Sequence, residues 1–264
     1  LGIGLALHTL DFKRILLKPG IIFVGAAAQY TIMPFGAFFI AKLFNLSPEL
    51  TLGLILTGAM PGAMTSNVLS YLAEADAAYS VSLTTFSTLI SPLMSPFLIS
   101  LLVVSSNPIE IPAAKMMGQI MYMVVLPLLL GFGLRSCLKE KVQNILYIFP
   151  AFSSLFIIFI CSIVIALNRD KIVLISYTVL LVVVVLNLFG LIFGYITGKV
   201  FKLGIKRSRT LSIEIGMQNA GMGTVLAVKN FDPLVALPAT AFVFICIITA
   251  SLLAEYWRNR ETDY

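Results

Sequence analysis

Apolar residues in this chain gather into runs long enough to cross a hydrocarbon core of about 30 Å, with short polar stretches between them. The runs fall at about 20–44, 50–72, 77–104, 113–134, 145–167, 172–200, 210–228 and 234–257. Each predicts a membrane helix. A ninth, partial run at 1–7 reads as the second half of a helix, because no initiator Met, charged n-region or cleavage site precedes it; the expectation is an N-terminal truncation. Such a chain has only short loops, which leaves no room for a separate soluble catalytic or DNA-binding domain. One membrane domain over 1–264 is expected.

Composition agrees with the pattern. Of the 264 residues 59% are hydrophobic and 11% charged, which excludes a soluble domain of ordinary make-up. Cys137, Cys161 and Cys246 lie in or beside spans, far apart in sequence, so neither a disulfide framework nor a zinc site is indicated. The net charge of +6 is explained by its distribution across alternate loops. Lys13, Arg14, Lys18, Arg135, Lys139, Lys141, Lys199, Lys202, Lys206, Arg207, Arg209, Arg258 and Arg260 fall on one side, and Lys42, Lys115, Arg169, Lys171 and Lys229 on the other. The richer side is expected to be cytoplasmic, and with it the C-terminus.

Residues 41–69 align with 198–226 at a constant offset of 157 without a gap. The alignment matches Lys42 with Lys199, Phe44 with Phe201, Leu46 with Leu203, Leu54 with Leu211, Met60 with Met217, Ala63 with Ala220, Val68 with Val225 and Leu69 with Leu226. An odd number of spans separates the copies, so the reading is a repeat of inverted topology. Both copies carry helix-breaking and polar residues in mid-span: Pro61, Gly62, Thr65, Ser66 and Asn67 in the first, Gly216, Gln218, Asn219, Gly221 and Gly223 in the second. Unwound backbone at membrane depth is tolerated only where it is buried or lines an aqueous cavity. Freed carbonyls at such breaks suit a cation, and the amide-rich start of each second half-helix suits an anion.

Of twelve acidic residues, Glu214 alone sits in the middle of a span. A carboxylate there costs at least about 2.5 kcal/mol, so it calls for a proton, a basic side chain or a bound cation, and no Lys or Arg is expected deep in a span. The open readings are a protonated structural Glu and a cation or proton coupling site. After Asp76, the residues Ser80, Thr84, Ser87, Thr88 and Ser91 recur at helical spacing and give the next span a hydroxyl stripe. Such hydroxyls often bond their own backbone or help helices pack; here a hairpin would bring the stripe against the Ser66–Asn67 break. Gln29 and Asn187 are in-span amides that serve either as interhelical glue or as functional groups.

The strings PGAMTSNVLSYL at 61–72, ADAAYSVSLTTFSTLISPLMSP at 75–96 and EIGMQNAGM at 214–222 resemble those of the bile acid:sodium symporter family, in its bacterial branch. The resemblance extends over nearly the whole chain. It implies an all-α membrane bundle of about nine helices here, with two inverted repeats, two discontinuous helices that cross at mid-membrane, and the first family helix missing. It implies two coupling sodium ions: one at Ser66, Asn67, Ser80, Thr84 and Glu214, the other at Gln29, Glu214, Ile215, Met217 and Gln218, with backbone carbonyls serving at Ile215 and Met217. Asn219 matches a residue that contacts the organic anion, and Met64 and Thr65 take the corresponding place at the first break. Where the bacterial pattern commonly has Thr two positions before the Ser of the SN pair, this chain has Met64.

The function expected is therefore sodium-coupled symport of a small organic anion across a bacterial cytoplasmic membrane by alternating access. Core helices at about 20–104 and 172–257 would rock against a panel at about 1–8 and 113–167. A proton-coupled carrier, or a non-transporting sensor or channel of the same fold, are the alternatives. An enzyme is not expected: the only His is His8, and there is no H-E-x-x-H string or paired in-span carboxylate.

Overall fold

The computed structural model describes residues 19–104, 109–138 and 148–260, and these are helical apart from short connections. The expected partial helix at 1–7 and His8 lie outside the described residues. In chain order the elements are α1 (Pro19–Leu43), α2 (Pro48–Gly58), α3 (Thr65–Leu72), α4 (Ala77–Val104), α5 (Ala113–Ile120), a π-helical turn (Met121–Val125) and α6 (Leu126–Leu138). There follow α7 (Ile148–Leu167), α8 (Arg169–Val200), α9 (Ile205–Gly216), α10 (Ala220–Asn230), a 3-10 turn (Pro233–Ala236) and α11 (Leu237–Arg258). Among the described residues five helical segments are long and apolar enough to cross a membrane: Pro19–Leu43, Ala77–Val103, Ala113–Arg135, Tyr177–Val200 and Pro233–Arg258. The expected spans at 50–72 and 210–228 are each broken into two helices too short to cross alone.

Burial separates the elements into an inside and an outside. Every residue of α2 from Leu50 to Gly58, and every residue of α9 from Ser208 to Gly216, is buried. A helix buried all round belongs to the centre of a bundle. On α1, α4, α7 and α11 large apolar side chains such as Phe23, Phe39, Phe97, Phe159 and Leu252 point outward. An apolar surface of this extent suits lipid rather than water.

Close backbone approach brings the central helices together. Gly190, Gly194 and Gly198 lie at four-residue intervals on α8; a Cβ added to Gly194 or Gly198 would strike the backbone of α9 at Leu211 and Ser208, and one at Gly190 would strike Met33 Sδ of α1 and crowd the Ile215 carbonyl. Small residues at such spacing let helices pack without a hydrophobic driving force between them. This stripe was not among the sequence expectations.

The order long helix, broken pair, long helix occurs twice, as α1–α4 and as α8–α11. Matching details recur at the offset seen in the sequence. Asn45 (φ 48°) and Lys202 (φ 53°) both end their helices in the left-handed region. Leu46 N–H donates to Ala41 O at 3.0 Å, and Leu203 N–H to Gly198 O at 2.9 Å. Thr51 N–H donates to Ser47 O, and Ser208 N–H to Gly204 O.

One boundary corrects an expectation about charge. The helix expected to begin at 210 begins at Ile205, which draws Arg209 into the bundle with 7% exposure. Its guanidinium lies over the Trp257 ring and reaches the carbonyls of Ala73 (3.4 Å) and Trp257 (3.5 Å), at the C-terminal ends of α3 and α11. Helix C-termini are electronegative, which is what makes a buried cation tolerable there.

Candidate functional site

Both breaks have a local cause. Pro61 has no N–H with which to continue α2, and beyond Gly216 the backbone at Met217 is extended. The two extended stretches cross and pair: Ala63 N–H donates to Met217 O, and Asn219 N–H to Pro61 O, both at 2.8 Å. The two bonds flank the antiparallel bridge between Gly62 and Gln218. Side-chain amides take up the carbonyls that remain. Gln29 Nε2 donates to Met60 O (3.3 Å), Gln218 Nε2 to Ile215 O (2.8 Å) and Asn187 Nδ2 to Gly216 O (2.9 Å). Buried backbone polar groups need such partners, and in lipid there is no water to supply them.

Glu214, fully buried on the last turn of α9, faces this crossing. Ser66 Oγ of α3 donates to its Oε2 at 2.5 Å and Ser80 Oγ of α4 to the same oxygen at 2.8 Å; Thr84 Oγ1 donates to Oε1. Asn67 Oδ1 lies 2.8 Å from Ser80 Oγ and 3.2 Å from Thr84 Oγ1, and Thr84 Oγ1 is also 2.9 Å from Ser80 O. All five residues expected at the first ion site thus meet. Their hydrogens do not suffice. Ser66, Ser80 and Thr84 each bring one hydroxyl hydrogen, yet Ser80 faces two acceptors and Thr84 three. Oxygen lone pairs crowded in this way fit a hard cation, which accepts them without needing hydrogens.

Of the second expected set, Gln29 and Gln218 meet directly, and Gln218 in turn reaches the carbonyl of Ile215. The Gln29 side chain is buried, its Nε2 donates to Gln218 Oε1 at 2.8 Å, and its own Oε1 has no partner. An orphaned buried carbonyl oxygen again suits a cation. No hydrogen bond joins Glu214 to Gln29 or Gln218 among the described residues; Gly62, in the first of the crossing stretches, is bridged to Gln218, and a Cβ there would collide with Glu214 Oε1. That role for Gly62 was not foreseen. Asn187 differs from Gln29, since both ends of its amide are satisfied: Thr249 Oγ1 donates to its Oδ1 at 2.7 Å. It reads as interhelical glue.

Of the residues expected to meet the anion, Asn219 caps α10 by accepting from Met222 N–H at 3.2 Å. Met64 and Thr65 stand at the start of α3, where no side chain caps the helix. Thr65 is exposed and Met64 and Asn219 are half-buried, whereas Ser66 and Glu214 are sealed. Among the described residues no group of three His, Cys, Asp or Glu side chains gathers; the crossing offers one carboxylate among neutral oxygens.

Residues 1–175 match the model of the sodium bile acid symporter family. The chain belongs to that family. The sodium-dependent transporter YocS of Bacillus subtilis (strain 168) is 34% identical over 259 residues, covering 98% of this chain and 80% of the relative. The probable sodium/metabolite cotransporter BASS1 of Arabidopsis thaliana, a chloroplastic protein, is 34% identical over 260 residues, 98% of this chain and 64% of its own length. The rice protein BASS2 shows the same identity over 62% of its length. This chain therefore spans less than two thirds of those plant relatives. Taken with its long apolar helices, membership of the sodium bile acid symporter family makes it a multi-pass integral membrane protein.

Proposed function

We propose that this protein couples sodium entry to uptake of a small organic anion by alternating access. The observation that carries the reading is the shortage of hydrogens around Glu214: three hydroxyls meet more acceptors than they have hydrogens to give. One sodium ion would take the oxygens of Ser66, Asn67, Ser80, Thr84 and Glu214. A second would take Gln29 Oε1, the carbonyls of Ile215 and Met217, Gln218 and the shared carboxylate of Glu214. The two relatives' names, sodium-dependent transporter and sodium/metabolite cotransporter, support sodium as the coupling ion. The anion would meet the N-terminal ends of α3 and α10 near Met64, Thr65 and Asn219, where the helix dipole favours negative charge.

The two copies, α1–α4 and α8–α11, are read as inverted repeats that form the core, with α5 to α7 as the panel against which it rocks. Basic side chains support an inward-facing C-terminus. Lys199 lies over Tyr195, which stacks on Trp257, and Arg209 also lies over that tryptophan, so the cation-rich ends of α8, α9 and α11 meet at one end of the bundle.

The deciding experiment is thermal stability of the purified protein against sodium at constant ionic strength with potassium. A saturable, sodium-specific rise in midpoint, lost in Glu214→Ala, is the expected result. Equal midpoints in the two salts would overturn the reading, and uptake driven by pH without sodium would replace it with proton coupling.

A further inference from the structure

One helical turn away from Glu214, α4 and α9 are joined a second time. Asp76 precedes α4, and its carboxylate serves two helices: Oδ1 accepts from Tyr79 N–H at 3.0 Å, capping α4, and Oδ2 accepts from Arg207 Nε of α9 at 3.1 Å. Thr210 brackets the same residue from the other side. Its Oγ1 accepts from Asp76 N–H at 2.9 Å and lies 3.1 Å from both Asp76 O and Lys206 O.

The two levels are in register. Asp76 is four residues before Ser80, and Thr210 four before Glu214, so each pair shares a helix face one turn apart. Asp76 with Thr210 forms the first rung, Ser80 with Glu214 the second, and Thr84 with Glu214 the third. The connection to α3 is short: Ala75 N–H donates to Ser70 O at 2.9 Å and Glu74 N–H to Tyr71 O at 3.1 Å, with Glu74 in the left-handed region at φ 52°. This loop thereby ties together the three helices that bear Ser66, Asn67, Ser80, Thr84 and Glu214. Solvent reaches it: the side chains of Arg207 and Asp76 are 30% and 27% exposed, whereas Ser80 and Glu214 are fully buried.

We propose that Asp76, Arg207 and Thr210 form a clamp that sets the axial register of α4 against α9 and so fixes the sodium affinity of the Glu214 site without touching the ion. The inference rests on the sodium reading of that site. These are positioning residues, and their physical role is to hold two hydroxyls on α4 opposite one carboxylate on α9 to within a fraction of an ångström. A slip of the helices would separate Ser80 and Thr84 from Glu214 while leaving each side chain intact. The ion pair at the rim is partly screened, so Thr210 and its bonds to the Asp76 backbone bear most of the constraint.

The test is a sodium titration of the melting midpoint, at constant ionic strength with potassium, for the full chain and for Thr210→Val, Thr210→Ser, Arg207→Gln and Glu214→Gln. Thr210→Val should raise the half-saturating sodium concentration by between about threefold and tenfold. Thr210→Ser, which retains the hydroxyl, should restore a value near that of the parent, and Arg207→Gln should shift it in the same direction as Thr210→Val but less. A lower midpoint in potassium with an unchanged sodium half-saturation would mark Thr210 as merely structural and overturn the clamp, while the sodium site itself stands. If Thr210→Val does not fold, Arg207→Gln at the rim decides the question by the same criterion. A parent that responds equally to both salts defeats the sodium reading and the clamp with it, an outcome distinct from loss of the response in Glu214→Gln alone.

Discussion

Glu214 combines a charge with hydrogen-bond acceptance, and Glu214→Gln divides the two. The amide oxygen can accept from Ser66 and Ser80 in place of Oε2, with its NH2 group turned toward the Thr84 oxygen, but it brings no negative charge to offset a cation in a buried site. The protein is expected to stay folded in potassium and to lose the sodium-specific rise in melting midpoint. Thr84→Val removes a single oxygen of the same cluster and should weaken sodium binding by up to about tenfold, read from the half-saturating concentration in the same titration. Gln29 offers a separate handle because its Oε1 is buried and unpartnered. If that oxygen serves a second ion, Gln29→Leu should lower the Hill coefficient of sodium-driven uptake toward about one, while a saturable response at Glu214 persists.

Among the elements, the broken helices matter through their backbone. Gly62 lets the first break pass directly over the Glu214 carboxylate, which the three hydroxyls hold in place. Gly62→Ala therefore displaces either the carboxylate or the crossing strand. The expected outcome is a folded protein whose melting midpoint no longer distinguishes sodium from potassium. Gly194 sits at a different kind of contact, helix on helix, where an added Cβ would lie 2.6 Å from Leu211 O. Gly194→Val has nothing flexible to push aside, and overpacking of this sort costs roughly 1–3 kcal/mol. It should lower the melting midpoint equally in sodium and potassium, unlike Gly62→Ala. Comparing the two variants separates damage to the scaffold from damage to the crossing.

Across the whole molecule, the proposed movement needs links between α5–α7 and the repeats that form and break. One such link is reciprocal: Gln119 Nε2 donates to Asn230 Oδ1 at 3.2 Å, and Asn230 Nδ2 donates to Gln119 Oε1 at 2.7 Å, joining α5 to the end of α10. Next to it Met121–Val125 forms a π-helical turn, a feature common where helices serve a function. Asn168, ahead of α8, makes a second link by donating from Nδ2 to Pro233 O at 3.1 Å. Oxidative cross-linking of the double variant Gln119→Cys and Asn230→Cys should arrest anion uptake in vesicles, with recovery on reduction. Uptake that continues at parental rate in fully cross-linked protein would show that α5 and α10 move as one body.

Membrane residence, the two places where spans break and the isolation of Glu214 were all legible in the amino-acid sequence, for reasons that are local. A run of about 20 apolar residues needs no tertiary context to be read; Pro61 cannot continue a helix wherever it lies; a lone carboxylate among apolar residues demands a partner whatever that partner is. The constant offset between the copies reappears in their turn hydrogen bonds, because a left-handed helix end at Asn45 or Lys202 is itself a local structure. What the sequence lacked was the direction in which each helix faces. In a helix as apolar as α8 no polar stripe marks the inner face, so its glycine contacts came only with packing, and the burial of Arg209 and the passage of Gly62 over a carboxylate depend on partners distant in sequence. Partner choice is non-local in the same way: Ser66 meets Glu214 across 148 residues of chain. Asn187 and Gln29 are amides of similar sequence setting, and only tertiary structure decided that one is satisfied at both ends while the other keeps a buried oxygen without a partner.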